Sequence, residues 1–224
     1  MKRIYIPANG ADDWAQFLAE PVKHWRTGYS ARSLAHCWQE AEGFPPEVSE
    51  VLNTSEALRG TSMLLGIPEH QVALPGGSTK SQNDVWVLGK RDGELVSIAV
   101  EGKVAEPFDR TVAEWLERET PGKHVRLQFL GKTLGLSEMP STIRYQLLHR
   151  TASAILEAER FNAAHALMLV HSFSQTHDWF EDYQAFAALF GIEAELNRVH
   201  RAKRVGKVTL HLGWVCGSAE YLGR

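Results

Sequence analysis

Cysteine is nearly absent from this chain. Its 224 residues hold two, Cys37 and Cys216, which make neither a metal-type pair nor a disulfide framework and suit a reducing cytoplasm. Long apolar runs are missing as well, and no stretch approaches the ~18 apolar residues of a membrane span. The apolar start ends too soon, at Pro7, for the segment Met1–Pro7 to be a signal peptide. Nor is there an excess of positive charge: 24 Lys and Arg stand against 27 Asp and Glu. The net charge of −3 excludes a globally basic nucleic-acid coat but leaves room for a local patch. Internal repeats, low-complexity tracts and long linkers are also lacking. The simplest expectation is a single domain over residues 1–224, long enough to bury a core without staples.

What is present is a change of hydrophobic period along the chain. Ser30 is a candidate N-cap for a helix to about Glu42, with Leu34, Trp38 and Ala41 on one face and Gly43 ending it. Pro45 and Pro46 open a second, short helix carrying Val48, Val51 and Leu52. Strands are expected at Gln71–Leu74, Asp84–Leu88 and Glu94–Ala105, the last two joined through the turn-rich Gly89–Gly93 as a hairpin. Helices return over Asp109–Arg118, around Leu127–Leu134 and over Thr142–Asn162. Ala166–Val170 is continuously apolar, as in a strand buried on both faces. Asp178 is expected to cap a helix through Phe190, and Val208–Val215 to form a final strand. This order predicts an α/β chain with a mixed central sheet flanked by helices.

The chemistry concentrates on one strand. In Val100-Glu101-Gly102-Lys103-Val104 a period of two sends Glu101 and Lys103 to one face and the small and apolar residues to the other. The hairpin partner begins with Asp84, so one pairing register sets two carboxylates side by side. Like charges so placed cost roughly 0.2–1 kcal/mol, a penalty that a divalent cation reverses. Mg²⁺ (or Mn²⁺) prefers such hard oxygen ligands and keeps several of its waters. An ion held there polarises a phosphoryl oxygen, and a neighbouring ammonium stabilises the charge that builds on it.

Asp, followed by Glu-x-Lys on the next strand, resembles the PD-(D/E)XK nuclease-like superfamily. The likeness covers about residues 30–170 and implies a restriction-endonuclease-like αβββαβ core with extra N- and C-terminal elements. It implies Asp84, Glu101 and the Gly102 carbonyl as metal ligands and Lys103 as the catalytic lysine, with Glu40 on the leading helix as a further ligand. Asn83 stands where the nominal motif has Pro. A polar helix often flanks such sites, and Gln146, His149, Arg150 and Ser153 form one helical stripe here, with Gln146 and His149 as groups that orient substrate. The implied activity is hydrolysis of nucleic acid, DNA in particular, in the cytoplasm and without a membrane. Many members are homodimers, although no coiled-coil pattern is present. The alternative is a binding module that keeps the fold without turnover. The segments Leu74–Gly77, Val100–Val104 and Arg144–Arg150 also resemble a bacterial domain family of unassigned activity.

Other features carry less. Gly76–Ser81 lacks the glycines of a phosphate-binding P-loop and reads as a turn feeding Asp84, with Ser81, Gln82 and Asn83 near the cleft. The ten histidines show no ligand spacing, and His171, ending the buried strand, reads as a core residue. Arg198–Lys207 reads as a solvated basic loop, with contact to a phosphate backbone as the alternative.

Overall fold

The period change is realised as a six-stranded mixed sheet between two helical layers. The computed structural model describes Ile4 and residues 8–224, so the reading of Met1–Pro7 falls almost wholly outside the described residues. A 3₁₀ turn at Ala11–Phe17 and α1 (Pro21–His24) lead into α2 (Ser30–Glu40) and α3 (Pro46–Leu52). Then come β1 (Ser62–Val72), β2 (Ser81–Arg91) and β3 (Glu94–Lys103). Next, α4 (Val112–Leu116), α5 (Pro121–Leu134) and α6 (Tyr145–Arg160) cross to β4 (His165–Ser172). The chain closes with α7 (Phe180–Ala188), β5 (Arg198–Val205), β6 (Val208–Cys216) and a 3₁₀ turn at Ala219–Gly223.

The sheet order is β1-β2-β3-β4-β6-β5. β1, β2 and β3 run antiparallel, β3, β4 and β6 run parallel, and β5 returns antiparallel on the edge. The β2–β3 turn is tighter than the expected Gly89–Gly93: β2 runs from Ser81 through Arg91, and only Asp92 and Gly93, with φ of 46° and 89°, lie between the closing pair Arg91 and Glu94. β4 sits at the centre, and its alternation divides the core. Ala166, Met168 and Val170 pack toward α5, α6 and α7, whereas Leu167 and Leu169 pack toward α2 and α3. Each of these large side chains is fully buried, worth roughly 1.5–3 kcal/mol apiece. In β3, Val96, Ile98 and Val100 face the α2–α3 layer, so Glu101 and Lys103 face the α6 layer.

Several local expectations are corrected. The strand at Gln71–Leu74 is the tail of an 11-residue β1 that stops at Val72. Tyr29, not Ser30, is the N-cap of α2, and Trp179, not Asp178, precedes α7. The basic segment Arg198–Lys207 is mostly the edge strand β5 rather than a loop. Its charges blunt an exposed edge, and Lys203 is tied to the Gly135 carbonyl at 2.6 Å. Among the described residues, no helix is long and apolar enough to cross a membrane.

Candidate metal centre

Three carboxylates line up across β1, β2 and β3. Val85 pairs with Val100, so the next step sets Asp84 opposite Glu101. On the other side Pro68 pairs with Val85 and His70 with Asn83, which sets Glu69 opposite Asp84. Glu69 takes a left-handed backbone, φ 53°, in the middle of a strand. That conformation is costly for a non-glycine residue, and such strain collects at functional sites. The row lines one wall of a cavity of about 640 Å³, together with Lys103, Gln82 and, from α6, Gln146 and Arg150.

Hydrogen bonds fix the row in place. Lys103 Nζ donates to Glu101 Oε1 at 2.6 Å, and Arg150 Nε donates to Glu101 Oε2 at 2.5 Å. The Arg150 guanidinium also reaches Asp84 Oδ1 at 3.8 Å. The Gly102 N–H donates to Asp84 Oδ2 at 2.8 Å. A strand residue turns its carbonyl to the same side as its N–H, so the Gly102 carbonyl opens toward the row. A side chain at Gly102 would press on Asp84 Oδ2 at 3.3 Å and Leu34 at 3.2 Å, which explains the small residue inside Glu-x-Lys. Gln82 donates to Glu69 Oε2 at 2.6 Å.

The charges do not balance: three acids face two bases. Burial, with Asp84 nearby, pushes Glu69 up to about 8. Burial, with Glu101 nearby, pushes Asp84 up to about 7. Burial acts on Glu101 in the same sense, but Arg150 and Lys103 outweigh it and hold this carboxyl below its ordinary value. Burial thus favours protons on Glu69 and on the central Asp84, while the two bases serve Glu101. In the presence of chelator this has a stability consequence. Both raised groups stabilise the native state fully below their unfolded values near 4, and that contribution is lost as pH climbs through about 7 and then about 8. His149 and His171, both shifted down by burial, act oppositely at lower pH. The melting temperature should therefore fall between about pH 6.5 and 8.5, and Glu69→Gln should flatten that fall; an unchanged slope in the variant would refute the assignment.

The cavity gathers Asp84, Glu101, Lys103 and Gln146. The Gln146 side-chain oxygen is buried and has no hydrogen-bond partner among the described residues. His149 lies behind the wall, its Nδ1 at 2.8 Å from Ser81 Oγ, which in turn lies 3.4 Å from Arg150 Nη1. It positions Arg150 and does not touch the cavity. Burial, reinforced by Arg150, keeps it neutral. Glu40 is not brought to the site. It ends a helix whose start borders the cavity, ~15 Å away along the axis, and it pairs with His36 and Arg224 at the surface. Glu69 takes the place expected for it, and Arg150 joins Glu101 across 49 positions of sequence.

A family model, Domain of unknown function (DUF6946), matches residues 7–219. The chain belongs to this family. Neither the curated proteins nor the solved structures yield a match. The DUF6946 match spans both helical layers and the whole sheet, so the row of carboxylates lies inside the family domain.

A second cluster of ligating atoms lies on the other face of the sheet. Cys37, Glu47 and His171 bring theirs within 4.8 Å of one another; among the described residues, the three carboxylates of the row do not gather so closely. Trp38 Nε1 donates to His171 Nδ1 at 3.2 Å, so the ring proton sits on Nε2, which faces Glu47 Oε1 at 3.4 Å. The Cys37 thiol donates to the same oxygen at 3.3 Å, and burial pushes that thiol up, holding its proton. Among the described residues the cluster's hydrogen bonds are those from Trp38 and Cys37, and His171 itself is fully buried, as the reading of it as a core residue expects.

Proposed function

We propose that this DUF6946 protein is a cation-dependent phosphodiesterase of the PD-(D/E)XK kind that hydrolyses nucleic acid, with DNA as the favoured substrate. The observation that carries the reading is the row Glu69–Asp84–Glu101, three oxygen donors across adjacent strands, with Lys103 buried beside it. The donors are all hard oxygens and carry a surplus of negative charge, which fits Mg²⁺ or Mn²⁺. Asp84, Glu101 and the Gly102 carbonyl would hold the ion, with Glu69 adding a fourth oxygen. A bound divalent ion supplies Lewis acidity at a phosphoryl oxygen and lowers the pKa of a coordinated water.

The chain's own groups do the rest. Lys103, held by Glu101 at 2.6 Å and over the Phe108 ring at 5.0 Å, keeps one ammonium at the reaction centre to orient the attacking water and offset charge on the phosphate. Gln146, which lines the cavity, would orient the substrate through its side-chain amide. Arg150 fixes the rotamer of Glu101 and is itself fixed through Ser81 and His149. The free cysteines agree with a cytoplasmic setting.

One observation favours a second reading, a binding module without turnover. The Arg150 guanidinium already spans Asp84 and Glu101, so the protein neutralises part of the row itself. Cleavage separates the two. Purified protein should cut DNA with Mg²⁺ or Mn²⁺, stop on chelation, and lose about a hundredfold or more of its rate as Lys103→Ala. Cleavage that survives Lys103→Ala comes from elsewhere and sinks the proposal, as does the absence of any cleavage with either ion.

A further inference from the structure

We infer that the cavity admits a single nucleic-acid strand and excludes the double helix, with Tyr29 as the stacking surface and Lys23 and Arg26 as phosphate contacts. The inference rests on the phosphodiesterase reading for the position of the scissile bond. It rests on the shape and lining of the cavity for everything else.

The carboxylate row lines a half-open cleft rather than a flat face. At about 640 Å³ the cavity falls within the ~300–1,000 Å³ of sites that engulf small ligands. That is room for a nucleotide or two. A cleft of that volume is filled by one or two nucleotides and not by both strands of a duplex. Residues between Leu18 and Ala31 supply the N-terminal part of the lining, with Pro107 and Gln146 also lining the cleft.

That N-terminal part of the lining has the composition of a single-strand track. Tyr29 is 40% exposed, lines the cavity and has no ring partner among the described residues. Every base offers a π face to such a ring, so the contact tolerates sequence. Among the described residues the Arg26 guanidinium is engaged only by the Val22 carbonyl at 3.3 Å, and Lys23 makes one exposed pair with Glu20 at 3.1 Å. Cations in this part of the lining offset the repulsion that the acidic row exerts on an incoming phosphate, and the aromatic between them and α2 receives a base. The other basic stretch, on β5, lies at the far edge of the sheet and does not line the cavity.

The test uses the full chain with Ca²⁺, a hard cation with the same preference for oxygen ligands. Fluorescence anisotropy compares a labelled oligothymidylate with a blunt duplex of equal length. The single strand should bind at least about tenfold more tightly. Tyr29→Ala should weaken it by about fivefold or more, while Tyr29→Phe keeps the affinity. The double variant Lys23→Ala/Arg26→Ala should flatten the salt dependence by about two phosphate contacts. Equal or tighter duplex binding, or an indifferent Tyr29→Ala, overturns the inference. Parallel cleavage assays with Mg²⁺ keep the two ideas apart. Strand-selective binding without cleavage removes the phosphodiesterase reading alone, and equal cleavage of strand and duplex removes this one alone.

Discussion

Asp84→Asn is expected to abolish cleavage and, in the same protein, to raise the melting temperature measured in chelator. The two effects share one cause. Asp84 stands between Glu69 and Glu101 in the row, and its carboxyl is pushed up to about 7 by burial and by Glu101. Above that pH the native state carries a charge that its surroundings resist. Asparagine keeps the side-chain oxygen that accepts from the Gly102 N–H at 2.8 Å, removes the charge and adds a donor for either neighbouring acid. At pH 8 the gain should be about 1–3 kcal/mol, with ~2–4 °C per kcal/mol in a chain of this size. The rate should fall at least about a hundredfold, since the central oxygen ligand becomes a neutral one. Added Mg²⁺ should stabilise the parent chain and leave the variant unmoved. A less stable Asp84→Asn protein in chelator would show that the row is structural. A variant that still cleaves would remove Asp84 from the site.

Much of this site can be read from the strand pattern, and what cannot has physical reasons. Alternation in Val96–Lys103 fixes which face carries Glu101 and Lys103, and the Asp92-Gly93 turn fixes the register that sets Asp84 beside Glu101. Glu69 escapes such reading. It follows Pro68 in a polar stretch that resembles no strand interior, and its left-handed backbone has no sequence signal. Its place becomes visible only once β1 is paired with β2. Glu40 shows the converse: the α2 pattern gives a helix and its buried face but not which end approaches the sheet. Gln146 and Arg150 stand one turn apart on α6 and share the cavity lining, as their stripe suggests, whereas half-buried His149 beside them meets Ser81 instead. The basic run at Arg198–Val205 conceals a strand because an edge strand exposes charges where a central one would bury valines.

Arg150→Met should give the largest loss of stability at the site, and its response to cations decides between the two functional readings. Arg150 and Glu101 are 7% and 2% exposed, and their contact at 2.5 Å is the shortest in the network. Removing the guanidinium strands Glu101 with Lys103 as its one remaining side-chain partner and takes a donor from Ser81. Breaking a buried pair from one side costs about 3–5 kcal/mol, most of it the unpaired charge. Glu101→Gln/Arg150→Met should therefore be more stable than Arg150→Met alone, with a coupling of about 0.5–3 kcal/mol. If the two single losses simply add, the pair contributes no coupling and the network described here is wrong. Mg²⁺ supplies the sharper contrast. In a metal centre the variant gains room for the ion between Asp84 and Glu101, so the cation should restore more stability to Arg150→Met than it adds to the parent chain. In a module where Arg150 stands in for the ion, Mg²⁺ restores nothing, because the site is built around a guanidinium and its carboxylates have no other cation to receive.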